Sequence, residues 1–403
     1  MRIVLGSGAA LAWLACAWLL TRSDVPGGLD LGSVDVRQEF GAGLVAEARR
    51  FERVLLVLWV LSQATLLATL WLYARRGARF TRESAAGPIG TGMLLGMLGL
   101  GILWLARLPF GIVALWWERR HDVTHVGYLE WLAEDWLALG AAFTLISAAL
   151  IVVMFLAQRL GEWWWLPGGV VFVGIVAVFA FVSPYLTTDT RPVRDPTLLR
   201  EFSALERREQ TGDIPLRIED VSGDTSQANA FASGFGPTRT IVLWDTLLDF
   251  PDDEVRVVLA HELAHHAGRH IEKAVAWFAL FAFPSAWLLM RVTRRRGGMG
   301  APEAVPVALF AVAVVSLVTL PLQNLVSRGV EREADWNALE ATRDPEAARD
   351  LFRGFAKSSL GDPSPPSWAY VLVQTHPTLA QRIAMADEWQ DRAGVGFGVD
   401  TGP

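Results

Sequence analysis

The chain has 403 residues and a single cysteine, Cys16. One thiol excludes an intramolecular disulfide and any cysteine-based metal site. Charge is scarce as well. Asp, Glu, Lys and Arg make up 19% of the residues, against about 25% in soluble proteins, while 52% are hydrophobic. That balance argues against an ordinary soluble enzyme and fits a polytopic membrane protein. The net charge of −6 is modest, and no basic run is interleaved with aromatics, so nucleic acid is not an expected partner. Internal repeats and low-complexity segments are missing too.

Tryptophan, by contrast, is abundant, with 18 residues. Trp116-Trp117 and Trp163-Trp164-Trp165 flank apolar runs, where interfacial aromatic belts are expected. Those runs cover 3–20, 54–73, 93–117, 137–156, 163–185, 274–290 and 305–325. The first is long enough for a signal peptide or a membrane span, and an uncleaved span is the expectation. The third is glycine-rich and interrupted by Arg107-Leu108-Pro109-Phe110. An arginine there either faces the bundle interior or marks the end of the span and snorkels to the interface. The sixth is short and broken by Pro284.

Between the fifth and sixth runs the composition shifts to charge and turn residues. Residues 187–273 read as a water-facing domain, with a helix over 195–210 and short strands over 216–221, 228–233 and 240–244. Pro251 then opens a helix whose first turn carries Asp252, Asp253 and Glu254, where the dipole favours acids. Its second half holds His261-Glu262-Leu263-Ala264-His265. Two histidines four apart share one helix face and can reach one metal ion. The glutamate beside the first sits where it can take a proton from a metal-bound water. Zinc suits imidazole and carboxylate ligands and leaves a coordination position open. His121 and His125 are also four apart, but no glutamate lies at the useful place between them, and they read as a solvated helix end.

Two histidines hold zinc weakly, so a third ligand is required. His270 follows His265 too closely on the same helix to turn back onto the metal. Glu331 and Asp335, just after the last run, lie one helical turn apart, so one can bind metal while the other hydrogen-bonds a ligand imidazole. Alternatively, Arg328 and Arg332 pair with these acids on an exposed face. The expected fold is mainly α: a polytopic membrane helical bundle of about seven spans with an inserted α+β zinc-metalloprotease domain. Residues 1–186 would form spans one to five, 187–273 the metalloprotease domain, 274–325 the last two spans, and 326–403 a helical continuation of the catalytic domain.

The His-Glu-Leu-Ala-His motif, the hydrophobic hairpin after it, and Ser327-Arg328 with Glu331, Ala334 and Asp335 together resemble the type 1 CAAX prenyl protease family of integral-membrane zinc endopeptidases. The segment from Asn229 to Gly236, the strand after it, Leu108-Pro109-Phe110 and His376-Pro377 with Arg382 resemble the same family. Most of the chain is covered, except the first 50 residues and the tail after Asp387. The resemblance implies one zinc ion per chain held by His261, His265 and Glu331, with Glu262 as general base. It further implies that Asp335 orients a ligand, that His376 and Arg382 stabilise the oxyanion or hold the ligands, and that Asn229 contacts the substrate backbone on an edge strand. Ala264 stands where glycine is common, and Thr378 where a second proline is common. The implied partners are a lipid bilayer and a peptide or protein substrate, with or without a lipid. A quality-control protease of membrane or translocating proteins is the rival reading. A non-hydrolytic transporter or scaffold is a third, against which the intact Glu262 argues.

The protein is expected to be a multi-pass protein of the cell membrane. The loops after the second and sixth runs carry Arg75, Arg76, Arg79 and Arg82, and Arg291, Arg294, Arg295 and Arg296. The positive-inside tendency puts these loops in the cytoplasm and the metal domain on the outer face. Eukaryotic members of the family are expected the other way round, so the side stays open. The charge argument predicts that a topology reporter fused after Pro403 reads on the outer face, and a cytoplasmic signal overturns it.

Overall fold

Runs of apolar residues in a bilayer leave their peptide groups no water to bond, so they coil into helices that satisfy themselves. The structure, a computed structural model, describes residues 2–29, 31–84, 86–187 and 190–397. Its first half is helical: α1 (Arg2–Leu20), α2 (Val36–Phe40), α3 (Ala42–Arg76), α4 (Gly87–Arg120), α5 (Tyr128–Leu160) and α6 (Trp165–Leu186). A small mixed unit follows, comprising β1 (Thr190–Pro192), α7 (Pro196–Glu209), β2 (Leu216–Glu219), β3 (Ala230–Ser233), β4 (Thr240–Trp244) and α8 (Asp252–Ala267). The chain then returns through α9 (His270–Thr293) and α10 (Val305–Thr342), and closes with α11 (Pro345–Ser359), α12 (Ser367–Leu372) and α13 (Leu379–Phe397).

Among the described residues, five helical stretches are long and apolar enough to cross a membrane. One of them, Tyr128–Leu186, has 59 residues. As a single rod it would measure about 90 Å, some three times the ~30 Å hydrocarbon core. It is in fact two helices, α5 and α6, parted by a short tight turn at Gly161–Trp164 where Gly161 takes φ +57°. The described apolar part of α1, Leu11–Leu20, packs against α9, and Trp13 Nε1 donates to the Leu280 carbonyl at 2.9 Å. The bundle therefore agrees with the expected span count of about seven.

The structure departs from the sequence reading in three places, each for a packing reason. α4 runs unbroken through Arg107 and Pro109, and Arg107 Nε donates to Ser62 Oγ of α3 at 2.8 Å, so this arginine faces the bundle interior. α9 likewise runs through Pro284, since neighbouring helices support the backbone groups that proline frees. α3 begins at Ala42, well ahead of the apolar run over 54–73. Val45, Ala48 and Phe51 on its first turns are buried, and Phe40 and Val45 join the core of the mixed unit. That contact, invisible to a hydropathy window, extends the helix.

Within the mixed unit, Asp195 caps α7 by accepting from the Thr197 and Leu198 amides. The sheet order is β1-β2-β4-β3, with β2 parallel to β4 and the other pairs antiparallel. β1 is too short for its pattern to show in sequence. β3 is an edge strand and faces α8. The core is Ile241, Leu243 and Leu247 of the sheet side against Leu259 and Leu263 of α8, all fully buried. α10, 38 residues long, passes without a break from the bundle into this core, where Trp336, Ala338 and Leu339 pack.

Glycines set the approach of α4 to its neighbours. A Cβ at Gly96 would lie 2.6 Å from Leu150 Cδ1, and one at Gly99 2.6 Å from Leu309 Cδ1. Nothing lies within 4 Å of a Cβ at Gly174. Gly96→Val is expected to lower stability by about 1–3 kcal/mol through overpacking. Thermal melts in detergent should show that loss, with Gly174→Ala unchanged.

Candidate active site

α8 presents His261 and His265 one turn apart, and their Nε2 atoms converge to 3.1 Å. Glu331 of α10 comes from the opposite side, with Oε2 3.3 Å from His261 Nε2 and Oε1 3.9 Å from His265 Nε2. Their donor atoms all lie within 4.8 Å of one another, the one such group among the described residues. A tetrahedral ion about 2.0–2.1 Å from each donor would hold neighbouring donors about 3.3 Å apart, so the set fits a metal. Glu331 Oε2 is buried without an aligned hydrogen-bond donor, as a carboxylate oxygen awaiting a cation would be. Burial disfavours charge on both imidazoles. Asp335 and Glu331 nevertheless push His261 up to about 10, while burial and the neighbouring His261 press His265 down to about 3. His265 is thus held neutral, as a metal ligand must be.

Each donor is held from behind. His261 Nδ1 lies 2.9 Å from Asp335 Oδ1. Asp335 is gripped by Arg382, whose Nε and Nη2 donate to its two oxygens at 2.8 and 2.5 Å. All three side chains are buried. His376 Nε2 reaches Glu331 Oε2 at 3.1 Å from a half-exposed position at the rim. Its segment is tied down by Arg328, whose Nη1 donates to the Tyr370 and Gln374 carbonyls at 2.8 and 2.7 Å. Arg328 therefore does not pair with the acids of its own helix.

Glu262 is buried in the wall of a cavity of about 360 Å³ that also touches Asn229, His261, His265, Glu331 and His376. Burial raises its pKa, against the Ala232 backbone N–H of β3, which hydrogen-bonds its carboxylate. Asn229, just before β3, lines the same cavity, and its carbonyl accepts from the Trp244 amide at 3.0 Å. The structure thus brings together all eight residues singled out from sequence: Asn229, His261, Glu262, His265, Glu331, Asp335, His376 and Arg382. His121 stays apart, its Nδ1 on the Trp117 carbonyl and its ring against Phe51.

Residues 202–390 match peptidase family M48. That stretch is an M48 peptidase domain. It is 25% identical over 301 residues to metalloprotease YhfN of Bacillus subtilis (strain 168), covering 70% of each chain. It is 26% identical over 317 residues to a CAAX prenyl protease 1 homolog of Arabidopsis thaliana, again covering 70% of each. Its fold matches the crystal structure of S. mikatae Ste24p with a TM-score of 0.73 at 18% identity, over 96% of this chain and 98% of that one. The protein is an integral, multi-pass membrane metalloprotease that acts on peptides or proteins. All eight residues lie inside the M48 match.

Sequence reasoning missed two neighbours of this M48 centre. His270, set aside as a ligand, turns its ring onto His265. Glu209, at the end of α7, buries both carboxylate oxygens without a hydrogen-bond donor. No local pattern marks either one, because the groups that bury them come from other elements. Burial pushes the Glu209 carboxyl up to about 8 from an ordinary 4.5. The native state therefore binds this proton more tightly than the unfolded chain does, and its stabilisation is complete below about pH 4.5 and lost as pH rises through 8. Glu209→Gln should flatten that decline and melt higher than wild type at pH 9, as measured by thermal melts in detergent from pH 5 to 9.

Proposed function

We propose that the protein is a zinc endopeptidase in which His261, His265 and Glu331 hold one zinc ion and Glu262 is the general base. The observation that carries this is the buried Glu262 carboxylate, fixed by the Ala232 N–H in the same cavity wall as the three donors. The bound ion would supply Lewis acidity, lowering the pKa of water and polarising a carbonyl. Glu262 takes the proton of the attacking water and returns it to the leaving amine, and its raised pKa suits both transfers. His376, at the open rim, donates to the oxyanion of the tetrahedral intermediate. Arg382 acts through Asp335, which orients His261.

The open edge of β3 supports an extended substrate. Ala232 is already engaged by Glu262, so a peptide would pair beside Asn229 and Ala230. In this reading residues 187–273 and 326–403 make the protease domain and residues 1–186 and 274–325 the bilayer-embedded bundle, with α10 crossing between them.

A second, apolar cavity of about 720 Å³ lies between α5, α6, α9 and α10 and reaches His270 beside the site. Its lining suits a substrate with a lipid or an apolar segment next to the scissile bond, which favours lipidated tails. Cleavage of membrane or translocating proteins is the second reading, because the same walls would seat an unlipidated apolar segment.

Quenched fluorescent peptides, lipidated and unlipidated, offered to purified protein in detergent test the proposal. Glu262→Gln should cut the rate by at least about 10²-fold while zinc stays bound. Residual wild-type rates in that variant would remove the general base. Preference for the lipidated set favours tail processing, and preference for the other favours quality control.

A further inference from the structure

His270 is buried at the first turn of α9, where it belongs to no ligand set. Its Nδ1 lies 3.0 Å from His265 Nδ1. Its Nε2 lies 3.5 Å from Glu333 Oε1 of α10, and Lys273 Nζ donates to the same oxygen at 3.2 Å. His265 Nε2 is the atom that faces the other donors, so its Nδ1 must carry the proton. His270 Nδ1 then accepts that proton's hydrogen bond, which leaves the N–H on His270 Nε2, the nitrogen near Glu333. Only one arrangement of tautomers satisfies the line.

We infer that His270, backed by Glu333 and Lys273, is the positioning residue for His265, doing for the second ligand what Asp335 and Arg382 do for the first. The two supports differ in origin. Both lean on α10, through Asp335 and Glu333, but Arg382 comes from α13 whereas His270 and Lys273 come from the first turn of α9. His265 is therefore aimed where the start of α9 meets α10, on the protease side of both helices. His270 also lines the 720 Å³ apolar cavity, so whatever fills that space touches the residue that aims the ligand. This inference rests on the metal-site reading above.

The test is zinc affinity of the full-length protein in detergent, measured by competition with a chromophoric chelator. His270→Ala should weaken zinc binding by about 10–100-fold, the usual effect of losing a ligand's supporting partner. His270→Asn places a carbonyl oxygen near the Nδ1 position and should recover most of the affinity, whereas His270→Gln should not. Glu333→Gln should fall between wild type and His270→Ala. Melts of the metal-free proteins separate misfolding from a local effect, and the Asn variant supplies the reading if the Ala variant does not fold. Zinc affinity unchanged in His270→Ala, or equal losses in Asn and Gln, overturns the inference. Failure of the wild-type protein to bind zinc overturns the metal-site reading instead.

Discussion

The active centre depends on one juxtaposition, a carboxylate from α10 set between two imidazoles from α8. Withdrawing Glu331 from water costs several kcal/mol, on the order of the penalty for any buried ion, unless opposite charge meets it. His261, His265 and His376 surround it within about hydrogen-bonding reach, and a divalent ion would complete the compensation. The rest of the unit exists to keep these groups from relaxing apart. Leu259 and Leu263 lock α8 onto the sheet, while Trp336, Ala338 and Leu339 lock α10 into the same core. The two helices can shift only by opening that core. The charged centre is thus held by apolar packing immediately behind it.

This arrangement also separates the roles of the acids. Glu331 is shared by three imidazoles and Asp335 is neutralised by a two-pronged arginine, whereas Glu262 feels His261 and His376 only at a distance and is bonded by a backbone amide. A base must be free to gain and lose a proton, and Glu262 alone among the three is spared a strong cationic partner. Environment assigns the chemistry, since two of the three side chains are identical.

Legibility in the sequence followed the range of the interaction. The spacing of His261, Glu262 and His265 is a property of one helical turn and was readable without a fold. Glu331, Asp335, His376 and Arg382 required the resemblance, because Glu331 and Asp335 share one acidic helix and nothing local says which meets the metal. The start of α3 escaped because Val45 and Phe51 are buried by a domain that follows far along the chain. Proline misled at Pro284 and at Pro109, since both helices run on through it, and at Pro284 the freed Leu280 carbonyl accepts from Trp13 Nε1. Arg107 could be placed only once Ser62 stood opposite it.

α10 begins in the bundle and ends in the protease core as a single helix of 38 residues. Glu331 consequently rides on a stiff arm pivoted inside the bilayer. With roughly 25 Å between pivot and carboxylate, a tilt of about 5° sweeps Glu331 through about 2 Å, the length of one metal–ligand bond. Helix tilt answers to hydrocarbon thickness. Any tilt the bilayer imposes on α10 therefore meets the packing of Trp336, Ala338 and Leu339, so the core that holds the centre together is also what shields its third donor from the membrane.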